Sequence, residues 1–175
     1  MYNTDALNID FKGLTAENNS FRYVLQDDYF EAIEAPDVRR GNLVCDLSIR
    51  KTEAFFELNF HVKGTVIIPC DRCLDDMAQP ISTDNKLIVK FGEAYSEEDD
   101  LVTIVEEEGI LDVSWFIYEF IVLGIPIMHA HAPEECNPDM MKLLNEHTVA
   151  RRDGEEEEKT IDPRWSKLSE LLNKN

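Results

Sequence analysis

Leu43, Cys45, Leu47 and Ile49 alternate with Val44, Asp46, Ser48 and Arg50, and a second run follows in which Phe56, Leu58, Phe60 and Val62 alternate with Glu57, Asn59, His61 and Lys63. A period of two puts the apolar members of each run on one face of a strand. The loop Lys51 to Phe55 between the runs predicts a hairpin. Gly64 interrupts the second run before Val66, Ile67 and Ile68 resume it, which reads as a bulge or sharp bend in a long curled strand. Shorter strand candidates are Leu7 to Phe11, Phe21 to Leu25, Tyr29 to Ile33, Asn85 to Phe91 and Leu101 to Glu106. Cys45 shares the face of Leu43 and Leu47 and reads as core, since cysteine is among the most buried residue types. His61 falls with the polar positions and reads as a surface residue.

At Asp112 the period changes. Asp112 predicts an N-cap for a helix over Val113 to Leu123, in which Trp115, Phe116, Ile117, Phe120, Ile121 and Val122 leave apolar residues on nearly every side. Gly124 and Pro126 end it. Glu119 is the one acid inside and has no partner acid or base nearby in sequence, so it reads as solvated or paired. Asn137-Pro138 opens a short helix carrying Met140, Met141, Leu143 and Leu144, and Asp162-Pro163 opens another carrying Trp165, Leu168, Leu171 and Leu172. In both, the Asx side chain accepts free backbone N–H groups and proline fills a position that needs no donor. The predicted class is α+β: a bent, mostly antiparallel sheet with one buried helix and short C-terminal helices, and no βαβ dinucleotide unit. Residues 1–150 form a single domain, 151–160 an acidic flexible tether, and 161–175 an amphipathic helix. On that helix Trp165, Leu168 and Leu172 share a face with Arg164 at its rim, a face covered either by the chain's own domain or by a partner's groove.

Charge alters the functional picture. With 17 Lys plus Arg against 36 Asp plus Glu, the net charge is −19. Affinity for nucleic acid comes largely from cations displacing counterions at phosphates, so broad RNA or DNA binding is disfavoured and a basic protein partner is the natural complement. No apolar run approaches a membrane span, and the first residues lack a basic region followed by an apolar stretch, so a cytoplasmic protein is expected. Four cysteines then read as reduced thiols or metal ligands rather than as a disulfide framework.

Cys70-Asp71-Arg72-Cys73 places two thiols on one tight turn directly after a strand-like run. His131 and Cys136, with four residues between them, offer the other half of a tetrahedral zinc site, and His129 is an alternative to His131. A dithiol redox pair is the sharper rival. Its flanks oppose it: only Leu74 to Gln79 separates Cys73 from Pro80, too little for the long helix that lowers an attacking thiol's pKa, and Asp71, Asp75 and Asp76 disfavour a thiolate. The plain alternative is a turn of packed, reduced cysteines held by hydrogen bonds from Arg72 and the aspartates.

Three segments in this order resemble the YceD family of large ribosomal RNA subunit accumulation proteins: Cys70-Asp71-Arg72-Cys73-Leu74; Leu111-Asp112-Val113-Ser114 leading through Glu119 to Leu123-Gly124-Ile125-Pro126, His131 and Cys136; and Asp162-Pro163-Arg164-Trp165-Ser166-Lys167-Leu168. The resemblance spans roughly 64–172 and implies a non-enzymatic role in accumulation or processing of the large-subunit ribosomal RNA. It marks Arg72 and Leu74 as part of the motif turn. Combined with the charge, it points to an acidic adaptor for a basic ribosomal or assembly protein, acting on RNA at one remove. The alternative is a zinc-stabilised module touching RNA through a small basic spot such as Arg39-Arg40, Arg50-Lys51 or Arg151-Arg152. A redox or hydrolytic enzyme fits least, for want of a nucleophile–base pair, a phosphate-cradling glycine loop or an acid dyad.

Overall fold

The alternating runs become the centre of a sheet in the computed structural model, which describes residues 2–132 and 134–147. The expected tether over 151–160 and the helix carrying Arg164, Trp165, Leu168 and Leu172 lie outside these residues. Residues 1–141 form one compact unit; a second begins at Lys142, inside the last described helix. After a 3-10 turn over Thr4–Leu7 come β1 (Asn8–Asp10), β2 (Asn18–Leu25), α1 (Asp27–Ala32), β3 (Arg40–Lys51), β4 (Phe56–Pro69), β5 (Asp76–Gly92), β6 (Ser96–Glu98), β7 (Leu101–Val105), β8 (Ile110–Asp112), α2 (Ser114–Leu123) and α3 (Pro138–His147). The bent main sheet runs β2-β3-β4-β5-β7-β6, and β1 pairs with β8 in a small second sheet. Among the described residues all pairings are antiparallel except β5 with β7.

Period-2 patterning decides which face is covered. Leu43, Cys45, Leu47 and Ile49 of β3 and Phe56, Leu58, Phe60 and Val62 of β4 are all buried. α2 lies over the same face, with Phe116, Ile117 and Ile121 buried and the Phe120 ring 5.2 Å from that of Phe60. Burying each such side chain contributes about 1.5–3 kcal/mol. The helix starts one residue later than the sequence suggests, at Ser114, because Asp112 ends β8; its carboxylate still accepts the Ser114 N–H at 2.8 Å.

The expected strand Tyr29 to Ile33 is instead the helix α1. Tyr29 and Phe30 are neighbours and both are buried, whereas a strand would send them to opposite faces. Asp27 and Asp28 in the first turn also suit a helix N-terminus, where the dipole favours acids. The Tyr29 hydroxyl donates to the Ser114 carbonyl at 2.8 Å and ties α1 to α2. Tyr29→Phe is therefore expected to lose about 1–2 kcal/mol, the cost of leaving a buried acceptor short of its donor; urea denaturation with an unchanged slope checks it.

Two strand readings are also revised. Gly64 introduces no bulge: Leu43, Gly64 and Ile81 stand opposite one another across β3, β4 and β5 without an inserted residue. The fourth long strand extends well beyond Asn85 to Phe91, starting at Asp76 and passing through Pro80. β7 pairs only with Ile88–Gly92, so Pro80 sits where β5 is an edge strand and a missing donor is tolerated.

Candidate metal centre

β4 and β5 pair up to Pro69 and Asp76, leaving six residues, 70–75, to reverse the chain. The Cys70 N–H donates to the Asp75 carbonyl and the Leu74 N–H to the Cys70 carbonyl, each at 2.9 Å. Leu74 takes up the left-handed turn at φ 63. This knuckle turns Cys70 and Cys73 inward, both buried, and leaves Arg72 and Leu74 exposed.

The other half arrives after α2. The segment beyond Gly124 runs back alongside the knuckle, where the Asp71 N–H donates to the His129 carbonyl at 2.9 Å and the His129 N–H donates to the Asp71 carboxylate at 2.7 Å. Two residues on, the His131 N–H points at the Cys70 sulfur at 3.4 Å, as does the Arg72 N–H from within the turn. Asn137 finishes the clamp: its amide donates to Asp75 at 3.2 Å, while its carbonyl oxygen accepts the Asp139 N–H at 3.1 Å and so caps α3. Cys136 is thereby delivered to the knuckle, and Met77, Met140 and Met141 pack against the three sulfurs.

The result is one Cys3His cluster. The Sγ atoms of Cys70, Cys73 and Cys136 and a ring nitrogen of His131 lie within 4.8 Å of one another. Cys70 and Cys136 sulfurs are 3.9 Å apart, and Cys73 Sγ is 3.4 Å from His131 Nδ1. A tetrahedral zinc ion with bonds of about 2.3 Å to sulfur separates its sulfurs by about 3.8 Å. The donor set and its spacing therefore fit zinc, and all four cysteines of the chain are unbridged. Rather than joining the cluster, His129 presents Nδ1 to the Pro126 carbonyl at 3.0 Å and Nε2 to Asp71 at 3.4 Å.

Electrostatics sharpen the distinction among the thiols. Burial alone would raise Cys70, yet the backbone N–H groups of Cys73, Arg72 and His131 converge on its sulfur and hold it down to about 6. Cys73 is lowered as well, first by the Asn137 N–H. Burial and the two neighbouring thiols push Cys136 up to about 11, and contact with Cys73 raises His131. Three sulfurs in this space cannot all ionise without a cation among them. Cys45 is unrelated to the cluster; it lies in the sheet core, where burial pushes its thiol up to about 12. No helix follows Cys73, since β5 begins at Asp76, so the arrangement lacks the element that activates dithiol redox pairs.

The family model described as Large ribosomal RNA subunit accumulation protein YceD matches residues 58–172. That span takes in β4 from Leu58 onward, the knuckle, α2 and the loop bearing His131 and Cys136. Uncharacterized protein YlbN of Bacillus subtilis (strain 168) is 28% identical over 115 residues, which cover 65% of this chain and 64% of the relative. No solved structure matches the chain. No described helix is long and apolar enough to cross a membrane.

Proposed function

The chain belongs to the YceD family, and from that premise we propose that it is a non-enzymatic factor in large-subunit ribosomal RNA accumulation, an acidic adaptor that binds a basic ribosomal or assembly protein in the cytoplasm. The observation that carries this reading is the excess of acids, 36 against 17 bases. Arg22, Arg40, Arg50, Lys63, Lys86 and Lys90 share the outward face of the sheet. Most are already engaged: Arg22 with Asp46, Arg40 with Asp76, and both Arg50 and Lys86 with Glu57. Cations held by carboxylates are poor phosphate ligands, which favours the adaptor over direct RNA contact through this face.

Zinc in the Cys3His cluster completes the proposal. Four protein ligands fill its coordination, which suits a structural rather than a catalytic ion. Held by Cys70, Cys73, His131 and Cys136, such an ion would tie His131 and Cys136 to the turn at the end of β4. The helix expected over 161–175, with Arg164, Trp165, Leu168 and Leu172, supplies a further partner contact beyond the tether at 151–160.

A filter-binding assay separates the adaptor from the alternative of a zinc-stabilised RNA binder. Generic RNA is expected to bind negligibly at ~0.15 M salt, while affinity for a basic protein falls steeply with added salt, because exposed attraction is screened over about 8 Å. Submicromolar RNA affinity at that salt overturns the adaptor in favour of direct contact.

A further inference from the structure

Between Lys90 and Lys142 the chain carries 13 Asp and Glu and no Lys or Arg. Within this stretch Trp115, the half-buried Glu119 and Leu123 follow one another at four-residue spacing along α2, with Trp115 and Leu123 exposed, and Leu123 leads into the loop that approaches the knuckle. Leu123 is 76% exposed, Ile127 98% and Met128 83%. Consecutive large apolar side chains this bare mark an interaction surface rather than ordinary surface scatter.

The loop bearing them is not slack. Gly124 donates to the carbonyls of Phe120 and Ile121 and Ile125 to that of Val122, all at 3.1 Å. On the far side of the tip, the His129 ring reaches the Pro126 carbonyl at 3.0 Å and its backbone exchanges two hydrogen bonds with Asp71. Ile127 and Met128 therefore stand on a closed turn anchored at both ends, so little ordering entropy remains to be lost on binding. The acids closest in sequence are Glu119, Glu134 and Glu135, with Asp71 and Asp75 on the adjoining knuckle; Arg72 is the one base there.

We propose that Trp115, Leu123, Ile127 and Met128 form the docking surface for a basic protein segment that brings its own apolar side chains. The inference rests on the adaptor reading and names the surface that serves it. An apolar centre supplies affinity, and acids around it with no competing lysine or arginine on the same stretch select a cationic partner. RNA is the wrong occupant for the same reason, since its phosphates would face these acids.

The test uses the full chain, an RNA-free mixture of purified large-subunit ribosomal proteins as probe, and about 0.15 M salt. Ile127→Ser combined with Met128→Ser removes exposed side chains and is expected to leave the melting temperature unchanged while weakening capture of the basic protein about tenfold or more. Val24→Ser, on the outward sheet face and 53% exposed, is expected to change neither. A photo-crosslinker at position 127 should label a basic protein; one at position 24 should not. If the unaltered chain captures a basic protein and the double variant captures it equally well, this surface is overturned and the adaptor reading stands. Failure of the unaltered chain to capture any basic protein overturns both. A crosslink from position 127 to RNA, to a second copy or within the chain likewise refutes the assigned occupant.

Discussion

Cys70→Ser is expected to unfold the protein about 10 °C earlier than the unaltered chain when zinc is present. Cys70 lies at the heart of the cluster: its sulfur is 3.9 Å from that of Cys136 and receives the N–H groups of Arg72 and His131. The unfolded chain has no preformed site, so binding free energy is folding free energy. Zinc at about a thousand times its dissociation constant adds ~4 kcal/mol to the folded state, and in a chain of this size each kcal/mol moves the midpoint by about 2–4 °C. A strong chelator should lower the unaltered protein by the same amount and leave Cys70→Ser where it already is. Equal midpoints with and without chelator, together with no metal by elemental analysis of protein purified without chelator, would reduce the cluster to packed thiols.

Gly64→Ala is expected to cost about 4 kcal/mol, more than most core truncations of a single methylene. A Cβ at this position would sit 2.3 Å from the Asn42 carbonyl oxygen and 2.5 Å from Leu43 Cα. Both obstacles are backbone atoms of the neighbouring strand and cannot rotate aside. The backbone also adopts φ 156, at the edge of the region that L side chains avoid. Strain of about 1–3 kcal/mol in such a conformation adds to about 1–3 kcal/mol for overpacking. Chemical denaturation measures the loss; a variant within about 0.5 kcal/mol of the parent would mean that β3 and β4 separate here easily.

The same glycine shows what the sequence conceals. As a break in an alternating run, a bulge and a close approach of two backbones look alike, and only the partner strand tells them apart. β3 and β4 were legible because each has a covered and a solvated face, so period two survives in the residues. α1 was not, since Tyr29 to Ile33 is too short for either period to declare itself and the burial of both Tyr29 and Phe30 is a tertiary fact. The first half of β5 was obscured by Pro80, which is harmless only because β7 stops short of it.

For the cluster, Cys70 and Cys73 declare themselves by spacing, and His131 and Cys136 by theirs. What spacing could not supply is the return of the chain after α2 to the end of β4, which depends on the Asp71–His129 pairing. It also gave no sign of which histidine turns inward; His129 is spent on Asp71 and Pro126. Ile127 and Met128 carried no signal at all, because apolar residues past a helix end read equally well as buried packing.

Action through a basic protein and action by gripping RNA leave different molecules bound to the chain. Affinity recovery of the tagged chain from cells, with nuclease-controlled washing and identification of both bound protein and bound RNA, separates the two. An acidic adaptor is expected to retain basic ribosomal or assembly proteins after RNA is digested and to release them in raised salt. Recovery of RNA that survives the washing, with no basic protein retained, would contradict that expectation.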